Sequence, residues 1–345
     1  MVVQQLRCFS HLSLRMRKEE YRVFYAMRAR MKRVVTIGGG SGSFAILRGL
    51  KNFPLDITAV VNMFDSGGSS GVLRDEFGVL PPGDVRRAML ALSSGDRSEI
   101  LRRLFNFRFE GGSGLSGHNF GNLFLVALSS IYESDAAAIR RASELLDISG
   151  HVFPVSLDKA HVHAVLEDGQ EIVGETNIDI PAHDGSLRIE KVFLDPPAHL
   201  YEKAEIAIRE ADIVVICPGD VYSSLVPTLL TEGMQTALKE SHARIVWVCN
   251  MMTKWGETDG MAASDFAREL LRYSGLAKFD HVIVNTQPID IEILEHYAKE
   301  KKFPVQLDEV QLSKYADSII KGDLLSASEV VRVDSDKVAR IIAGL

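Results

Sequence analysis

Several polar, glycine-rich segments of this 345-residue chain have the composition of anion-binding loops. In the first, TIGGGSGSFAIL (residues 36–47), a β-branched stretch leads through glycines into apolar residues at helical spacing. Because the first amides of a helix lack intrahelical partners and carry its positive dipole end, such a loop attracts a phosphate. A tight turn with close helix packing is the alternative. The phosphate-binding residues predicted in this loop are Gly38, Gly39, Gly40, Ser41 and Gly42.

This glycine pattern matches neither common nucleotide motif in full. The run Gly38-x-Gly40-x-x-Ser43 ends in serine where the dinucleotide fingerprint has Gly or Ala, and the Gly-Lys-Ser/Thr of the P-loop is missing. A dinucleotide cofactor therefore stays an alternative. An NAD-dependent oxidoreductase is disfavoured, since no residue indicates hydride chemistry.

A second loop, DSGGSSG (residues 65–71), places one carboxylate among glycines and serines directly after an apolar stretch. Its backbone amides could approach a ligand closely while Asp65 contacts a hydroxyl group or a metal ion. A flexible connection is the simpler alternative. The binding residues predicted here, besides Asp65, are Gly67, Gly68, Ser69 and Ser70.

The segment LPPGDVRRAMLALSSG (residues 80–95) predicts a helix that begins near Asp84. Asp84 is expected to act as the N-cap of this helix. Arg86 and Arg87 in the first turn oppose the helix dipole, and such a local conflict can be retained for an anionic ligand.

A third loop, GGSGLSGHNFGNL (residues 111–123), runs from glycines into a strongly apolar helix. His118, Asn119 and Asn122 lie in or near its first turn and are predicted to face a phosphate together with free amides. A role for His118 as a general acid or base is less favoured, because no carboxylate partner lies at a telling spacing.

Two further loops follow apolar β-branched runs, CPGDVYSSLVP (residues 217–227) and CNMMTKWGETDG (residues 249–260). The first predicts an anion-receptive turn at Gly219, Asp220 and Ser223. In the second, two carboxylates two residues apart could hold Mg²⁺ or hydrogen-bond a sugar, with simple solvation of the loop as the alternative. The sugar or base contacts predicted in this loop are Asn250, Thr253, Glu257, Thr258 and Asp259.

The elements that position these loops alternate between near-continuous Val/Ile runs and amphipathic helical stretches. This alternation predicts an α/β, Rossmann-like fold with a mostly parallel sheet and helices on both faces. Loops at the carboxyl ends of such strands are expected to converge on one cleft. A β-rich insertion is expected at about residues 151–195, with a hairpin at Asp168-Gly169. His161 and His163 share a strand face there, but without a third ligand of matching spacing they predict no metal site.

Bulk composition restricts the function. A formal charge of −7 argues against a broad nucleic-acid surface, and no apolar run approaches the roughly 18 to 20 residues that span a membrane. Three widely separated cysteines without a CxxC motif fit a reducing cytoplasm.

Residues 1–32 carry eight Lys or Arg against two Glu. We expect them to be a basic extension upstream of a true start at Met31, with a transit-like segment or a helix as alternatives, and residues 33–345 to form one domain.

Taken in order, GGGSGS, DSGGSSGVLRDEFG with PPGD, LSGHNFGNL, PGDVYSSLVP and CNMMTKWGETDG resemble the YvcK-type gluconeogenesis factors. These are also called UDP-N-acetylglucosamine-binding proteins and are relatives of the CofD 2-phospho-L-lactate transferases. The resemblance covers about residue 33 to the C-terminus. It implies a cytoplasmic regulatory protein that binds a UDP-sugar without turnover and serves gluconeogenic growth, cell shape and wall-precursor supply. It also implies that Arg332 contacts the diphosphate or sugar, although Val333 stands where the family has His.

The alternative that the resemblance implies is a CofD-like transferase, in which Asp65 assists an alcohol acceptor and Mg²⁺ assists the transfer of a phospholactyl-type group. Ser66 stands where many family members have a second acidic residue, which weakens metal binding or acceptor activation and favours binding over transfer. A homodimer and a regulatory protein partner are further expectations.

Overall fold

The computed structural model describes residues 31–94, 98–112, 114–181, 183–328 and 330–345. Apart from Met31 and Lys32, the predicted basic extension lies outside the described residues. The first described strand begins at Lys32.

The described strands form two sheets. Seven of them form one parallel sheet in the order β10-β9-β8-β7-β1-β2-β3, and three form a smaller antiparallel sheet in the order β5-β4-β6. The strands are β1 (Lys32–Gly38), β2 (Leu55–Val61), β3 (His151–Pro154), β4 (His161–Leu166), β5 (Glu171–Val173), β6 (Ile189–Asp195), β7 (Ile213–Ile216), β8 (Arg244–Val248), β9 (Phe279–Asn285) and β10 (Ala316–Gly322).

Helices cover both faces of the parallel sheet, which confirms the predicted fold class. The helices in the described residues are α1 (Gly40–Leu50), α2 (Gly68–Phe77), α3 (Gly83–Leu92), α4 (Ser98–Asn106), α5 (Phe120–Tyr132), α6 (Asp135–Leu145), α7 (Glu175–Asp179), α8 (Glu202–Arg209), α9 (Val226–Leu229), α10 (Met234–Glu240), α11 (Ala263–Ser274), α12 (Ile291–Lys299), α13 (Glu309–Leu312) and α14 (Ser335–Gly344), with one π-helical turn at Val221–Leu225. None of the described helices has the length and apolar character needed to cross a membrane.

The apolar runs of the central strands are buried on both faces, as their sequence predicts. Val34, Val35 and Ile37 of β1 are at most 1% exposed, and β1 pairs in register with β2 and β7. The chain passes from β1 to β2 on one side and later returns to β7 on the other. The parallel sheet therefore has a topological switch point between β1 and β7, where ligands bind in folds of this kind.

The small antiparallel sheet is the predicted insertion, and it contains the predicted hairpin. Gly169 has φ +85°, the amide of Gln170 donates to the side chain of Asp168, and β4 pairs with β5 across this turn. The insertion begins later than residue 151, because β3 pairs with β2 as an edge strand of the parallel sheet. Between β5 and β6 the chain forms the short helix α7, which the sequence pattern does not indicate.

Candidate functional site

Two cavities of about 340 Å³ each lie side by side beyond the carboxyl ends of the central strands. Both are lined by Gly40, Asp220 and Ser224, so they meet at the switch point. We call the cavity with Asp65, Asp84, Glu175 and Arg86 the carboxylate cavity. The cavity with Gly39, Ser41, Lys254 and Arg332 is the glycine-loop cavity.

The glycine loop brings the N-terminus of α1 to the edge that the cavities share. Gly40 has φ +66°, a backbone conformation that residues other than glycine rarely adopt. A Cβ atom on Gly42 would lie 1.9 Å from the carbonyl oxygen of Pro218, so glycine permits the close approach of the loop after β7. Gly39 is the N-cap and has no side chain to cap the first turn. The arrangement suits an anion at the amides of this turn.

One of these amides already has a carboxylate partner. The N–H of Gly40 donates to Oδ1 of Asp84 at 2.9 Å, and the guanidinium of Arg87 lies 3.6 Å from the same oxygen. Pro82 is the N-cap of α3, so the predicted N-cap role of Asp84 is wrong: the side chain reaches 44 residues back along the chain instead. Burial, together with nearby Asp65, raises the pKa of Asp84 to about 6.

Ser69 and His118 form a hydroxyl–imidazole contact that the sequence does not indicate. Oγ of Ser69 lies 3.1 Å from Nδ1 of His118, and the same Oγ accepts hydrogen bonds from the Asn119 amide and from Nδ2 of Asn122. A hydroxyl group has one proton to donate and two lone pairs. These contacts join the loop after β2 to the residues at the start of α5.

Arg86 is the buried cation of the carboxylate cavity. Its Nε donates to Oδ1 of Asn122 at 3.0 Å, and its Nη1 donates to the carbonyl of Phe105 and to Oδ1 of Asn106 at 3.1 and 3.2 Å. Burial lowers its pKa to about 10, with Arg87 and Arg108 contributing. Neutral acceptors thus hold Arg86 in a first turn where the dipole disfavours it, and it remains part of the cavity wall.

Helix α7 of the insertion supplies two carboxylates that sequence reasoning missed, Glu175 and Asp179. Oε2 of Glu175 accepts from the amide of Ser66 at 3.2 Å, and Oγ of Ser66 lies 2.9 Å from Oγ1 of Thr176. Burial, together with nearby Asp65, raises the pKa of Glu175 to about 8. Ser66 therefore joins the loop after β2 to the insertion, and the second carboxylate beside Asp65 comes from a segment 110 residues away. No spacing in the sequence signals this meeting.

Lys254 lies in the wall between the two cavities. Its ammonium group contacts Asp179, lies 3.0 Å from Asp220 and 3.1 Å from Glu257. Burial lowers its pKa, but the attraction of Glu257, Asp220 and Asp179 outweighs burial and leaves the pKa raised. The Glu257 carboxylate also accepts from the amides of Tyr222 and Ser223 and from the Ser223 hydroxyl.

The same carboxylates are the group in the described residues that could hold a metal ion. The ligand oxygens of Asp179, Asp220 and Glu257 lie within 4.8 Å of one another. The Lys254 ammonium is in contact with all three, so a divalent cation would have to displace it.

The loop after β8 contributes to the glycine-loop cavity. Nδ2 of Asn250 donates to the carbonyl of Gly219 at 2.7 Å, which ties this loop to the one after β7. Thr253 is held by Phe303, whose amide donates to Oγ1 of Thr253 at 3.1 Å. Tyr297, Lys302 and the segment 330–333 complete the cavity, and of these residues only Arg332 is predicted from the sequence to contact the ligand.

The structure brings most of the predicted site residues together. Those that line the carboxylate cavity are Gly40, Asp65, Gly67, Gly68, Ser69, Ser70, Asn122, Asp220 and Ser223. Those that line the glycine-loop cavity are Gly39, Gly40, Ser41, Gly42, Gly219, Asp220, Asn250, Thr253, Thr258 and Arg332. The others line neither cavity: Gly38, His118, Asn119, Glu257 and Asp259. His118, Asn119 and Glu257 instead hold lining residues in place, whereas Asp259 is exposed.

Comparisons with known proteins agree with this architecture. Residues 34–325 match the family model described as 2-phospho-L-lactate transferase CofD. The chain is 42% identical over 314 residues to the gluconeogenesis factor of Halalkalibacterium halodurans, covering 90% of this chain and 95% of that protein. It is 36% identical over 316 residues to the gluconeogenesis factor of Bacillus subtilis, covering 91% and 98% of the two chains. A crystal structure of a UPF0052 family member from Bacillus halodurans superposes with a TM-score of 0.86 at 40% identity, covering 91% of this chain and 99% of that one.

Proposed function

This chain belongs to the CofD family and, within it, to the YvcK-type gluconeogenesis factors. We propose that it is a regulatory protein that binds a nucleoside-diphosphate sugar without turning it over. UDP-N-acetylglucosamine is the first candidate ligand. The names of its relatives support a role linked to gluconeogenesis. The proposal extends this role to cell shape and wall-precursor supply in the cytoplasm, exerted through a protein partner that the bound state would recruit.

The observation that carries the proposal is the junction of the two cavities. A nucleoside-diphosphate sugar has a nucleoside at one end, a sugar at the other and a diphosphate between them. The two cavities have volumes typical of small-molecule sites, and they meet at Gly40, whose amide is held by Asp84, with Ser41 and Gly42 of the first turn of α1 beside it. The ligand's three parts therefore match two chambers and the edge that joins them.

Binding without turnover is favoured because two candidate nucleophiles, Lys254 and Cys217, are not activated. Lys254 is held by three carboxylates. Burial raises the pKa of Cys217 to about 12, so its thiol is protonated at neutral pH. A covalent mechanism through Lys254 or Cys217 therefore lacks an activated group.

Isothermal titration calorimetry of the purified chain tests the proposal. We expect saturable heat with UDP-N-acetylglucosamine, and an unchanged ligand by mass spectrometry after prolonged incubation. Absence of binding with UDP-, GDP- and other nucleotide sugars would overturn the proposal. Release of UDP or of free sugar would overturn the claim that the ligand is not turned over.

A CofD-like transferase is the second candidate, and the pairing of Asp65 with Glu175 favours it. Glu175 has a pKa near 8 in a cavity wall, which suits a group that accepts a proton from an alcohol. Incubation with a guanosine-diphosphate-linked phospholactyl donor and a deazaflavin acceptor, followed by mass spectrometry, tests it. An acceptor of unchanged mass at high protein concentration contradicts transfer.

A further inference from the structure

The walls of the two cavities differ in charge. The carboxylate cavity has five carboxylates, on Asp65, Asp84, Glu175, Asp179 and Asp220, against the guanidinium groups of three arginines. The glycine-loop cavity has three cationic side chains, Lys254, Lys302 and Arg332, against the single carboxylate of Asp220. A diphosphate is therefore attracted more strongly to the glycine-loop cavity than to the carboxylate cavity.

Each of the three arginines is already in contact with a protein acceptor. Arg86 donates to Asn122, the guanidinium of Arg87 lies beside Asp84, and Nη1 of Arg108 donates to the carbonyl of Gly117. Each of these contacts uses part of the guanidinium's capacity to bind a ligand anion.

Two of the five carboxylates stand apart, since their recorded partners are uncharged. Oδ1 of Asp65 accepts from the amide of Gly67 at 2.8 Å, and Oε2 of Glu175 accepts from the amide of Ser66. Within the described part of the chain, neither carboxylate forms an ion pair at 4.0 Å or less, whereas Asp84, Asp179 and Asp220 each do. Asp65 and Glu175 thus line the cavity without a directly paired cation.

We propose that Asp65 and Glu175 determine the sugar specificity of this protein: they form hydrogen bonds with the hydroxyl groups of an uncharged sugar, and the charge of Asp65 disfavours a sugar that carries a carboxylate. This inference rests on the proposed function. It orients the ligand with its sugar in the carboxylate cavity and with its diphosphate and nucleoside in the glycine-loop cavity.

The uncharged part of the glycine-loop cavity supports the same orientation. Met251, Met252, Tyr297 and Val331 provide thioether, aromatic and aliphatic surface to a planar base, while Lys302 and Arg332 lie in the same wall. The carboxylate cavity is instead lined almost wholly by polar and charged side chains, which suit a polyhydroxylated ring.

The raised pKa of Glu175 fits this role. The groups that act on Glu175 are Asp65 and Asp179, which raise its pKa, and Lys254 and the amide of Ser66, which lower it. With a pKa near 8, Glu175 holds a proton at neutral pH and can donate to a sugar oxygen. Asp65 beside it can accept from a hydroxyl, so the pair matches a group that both donates and accepts.

UDP-glucose and UDP-glucuronate form a matched pair of probes, because they differ only in having a hydroxymethyl group or a carboxylate at the end of the sugar ring. Calorimetry with the full-length chain should give a dissociation constant at least about tenfold weaker for UDP-glucuronate. The ratio should approach one in D65N and in D65N/E175Q, whereas E175Q removes no charge from the neutral carboxyl group and should change the ratio less. E190Q serves as the control, since Glu190 is an exposed residue of the same insertion and lines neither cavity.

The outcomes separate the two proposals. Equal binding of both probes by the wild-type chain, or an unchanged ratio in folded D65N/E175Q, would overturn the inference and leave the proposed function intact. Binding of neither probe, of UDP or of UDP-N-acetylglucosamine would overturn both. Circular dichroism and thermal melting establish that each variant is folded, and the single variants carry the test if the double variant is not.

Discussion

The two cavities are alike in volume and share an edge, yet they differ in how the chain builds them. The glycine-loop cavity takes its backbone groups from loops that directly follow β1, β7 and β8. The carboxylate cavity depends on α7, a short helix of the insertion, which supplies Glu175 and Asp179. Local sequence motifs thus form most of the glycine-loop cavity, whereas the chemistry of the carboxylate cavity depends on a contact between distant segments.

Substitution of Lys254 should have the largest effect, since this side chain lies between the two cavities and pairs with carboxylates there. Lys254→Met leaves three carboxylates without their cation, and the Glu257 side chain is fully buried. We expect a loss of about 3–5 kcal/mol in the free energy of unfolding, measured by denaturant titration. Lys302→Met is the control, because its partner Glu300 is about half exposed and the pair is worth less than about 1 kcal/mol. Equal stability of the two variants would contradict the role given to Lys254.

Gly42→Ala tests how closely the loops after β1 and β7 must approach. The added Cβ would lie 1.9 Å from a backbone oxygen of Pro218, so the loops must separate. We expect destabilisation of up to about 3 kcal/mol and loss of nucleotide-sugar binding. Gly111→Ala meets no atom within 4 Å and should change neither quantity. Wild-type melting and binding in Gly42→Ala would show that the close approach is unimportant.

Arg332→Ala tests the contribution of one positive charge of the glycine-loop cavity to ligand binding and should leave the fold unchanged. Arg332 is exposed and lines the glycine-loop cavity, and hydrogen bonds from charged groups to phosphate contribute about 1.5–3 kcal/mol. Calorimetry should therefore give at least about tenfold weaker binding of UDP-N-acetylglucosamine, with an unchanged melting temperature. The exposed Arg340 of α14 provides the control variant Arg340→Ala. An affinity as strong as that of the wild type would remove Arg332 from the site.

Asp84 gives the smallest expected effect, a dependence on pH. Its carboxylate occupies the Gly40 amide, between Asp65 on one side and Arg86 and Arg87 on the other, with a pKa near 6. Protonation removes a negative charge from the N-terminus of α1, so ligand affinity should rise a few-fold as the pH falls from about 7.5 to 5.5. Asp84→Asn should flatten this dependence. A slope that persists in Asp84→Asn would assign the titration to another group.

The same shift has a consequence for stability. Because the native pKa of Asp84 lies above its ordinary value of 3.8, the native state binds the proton more tightly than the unfolded chain does. The contribution of this group to stability is therefore greatest below pH 4 and declines as the pH rises to about 6. Comparison of Asp84→Asn with the wild type in denaturant titrations across this range measures the decline.

The parts of the fold that the sequence predicted correctly are those with a local cause. Runs such as that of β1, and the Asp168-Gly169 turn, act through their own residues and immediate neighbours. The N-cap predicted at Asp84 failed because the side chain had a better donor in Gly40, which no local pattern reveals. The sequence has serine at position 66, where many family members have an acidic residue. It gives no sign that the carboxyl group of Glu175 takes the place of that residue beside Asp65.

By itself, the sequence determined that this protein has alternating buried strands and helices, with glycine-rich and polar loops at the carboxyl ends of the strands. Only the tertiary structure decided how the charges are divided between the two cavities, that Ser69 lies beside His118, and that Lys254 contacts a carboxylate 75 residues away. Secondary structure follows from steric and apolar preferences over a few residues. The charge and reactivity of a side chain depend on burial and on the groups within a few ångströms of it, and these are known only once the chain is folded.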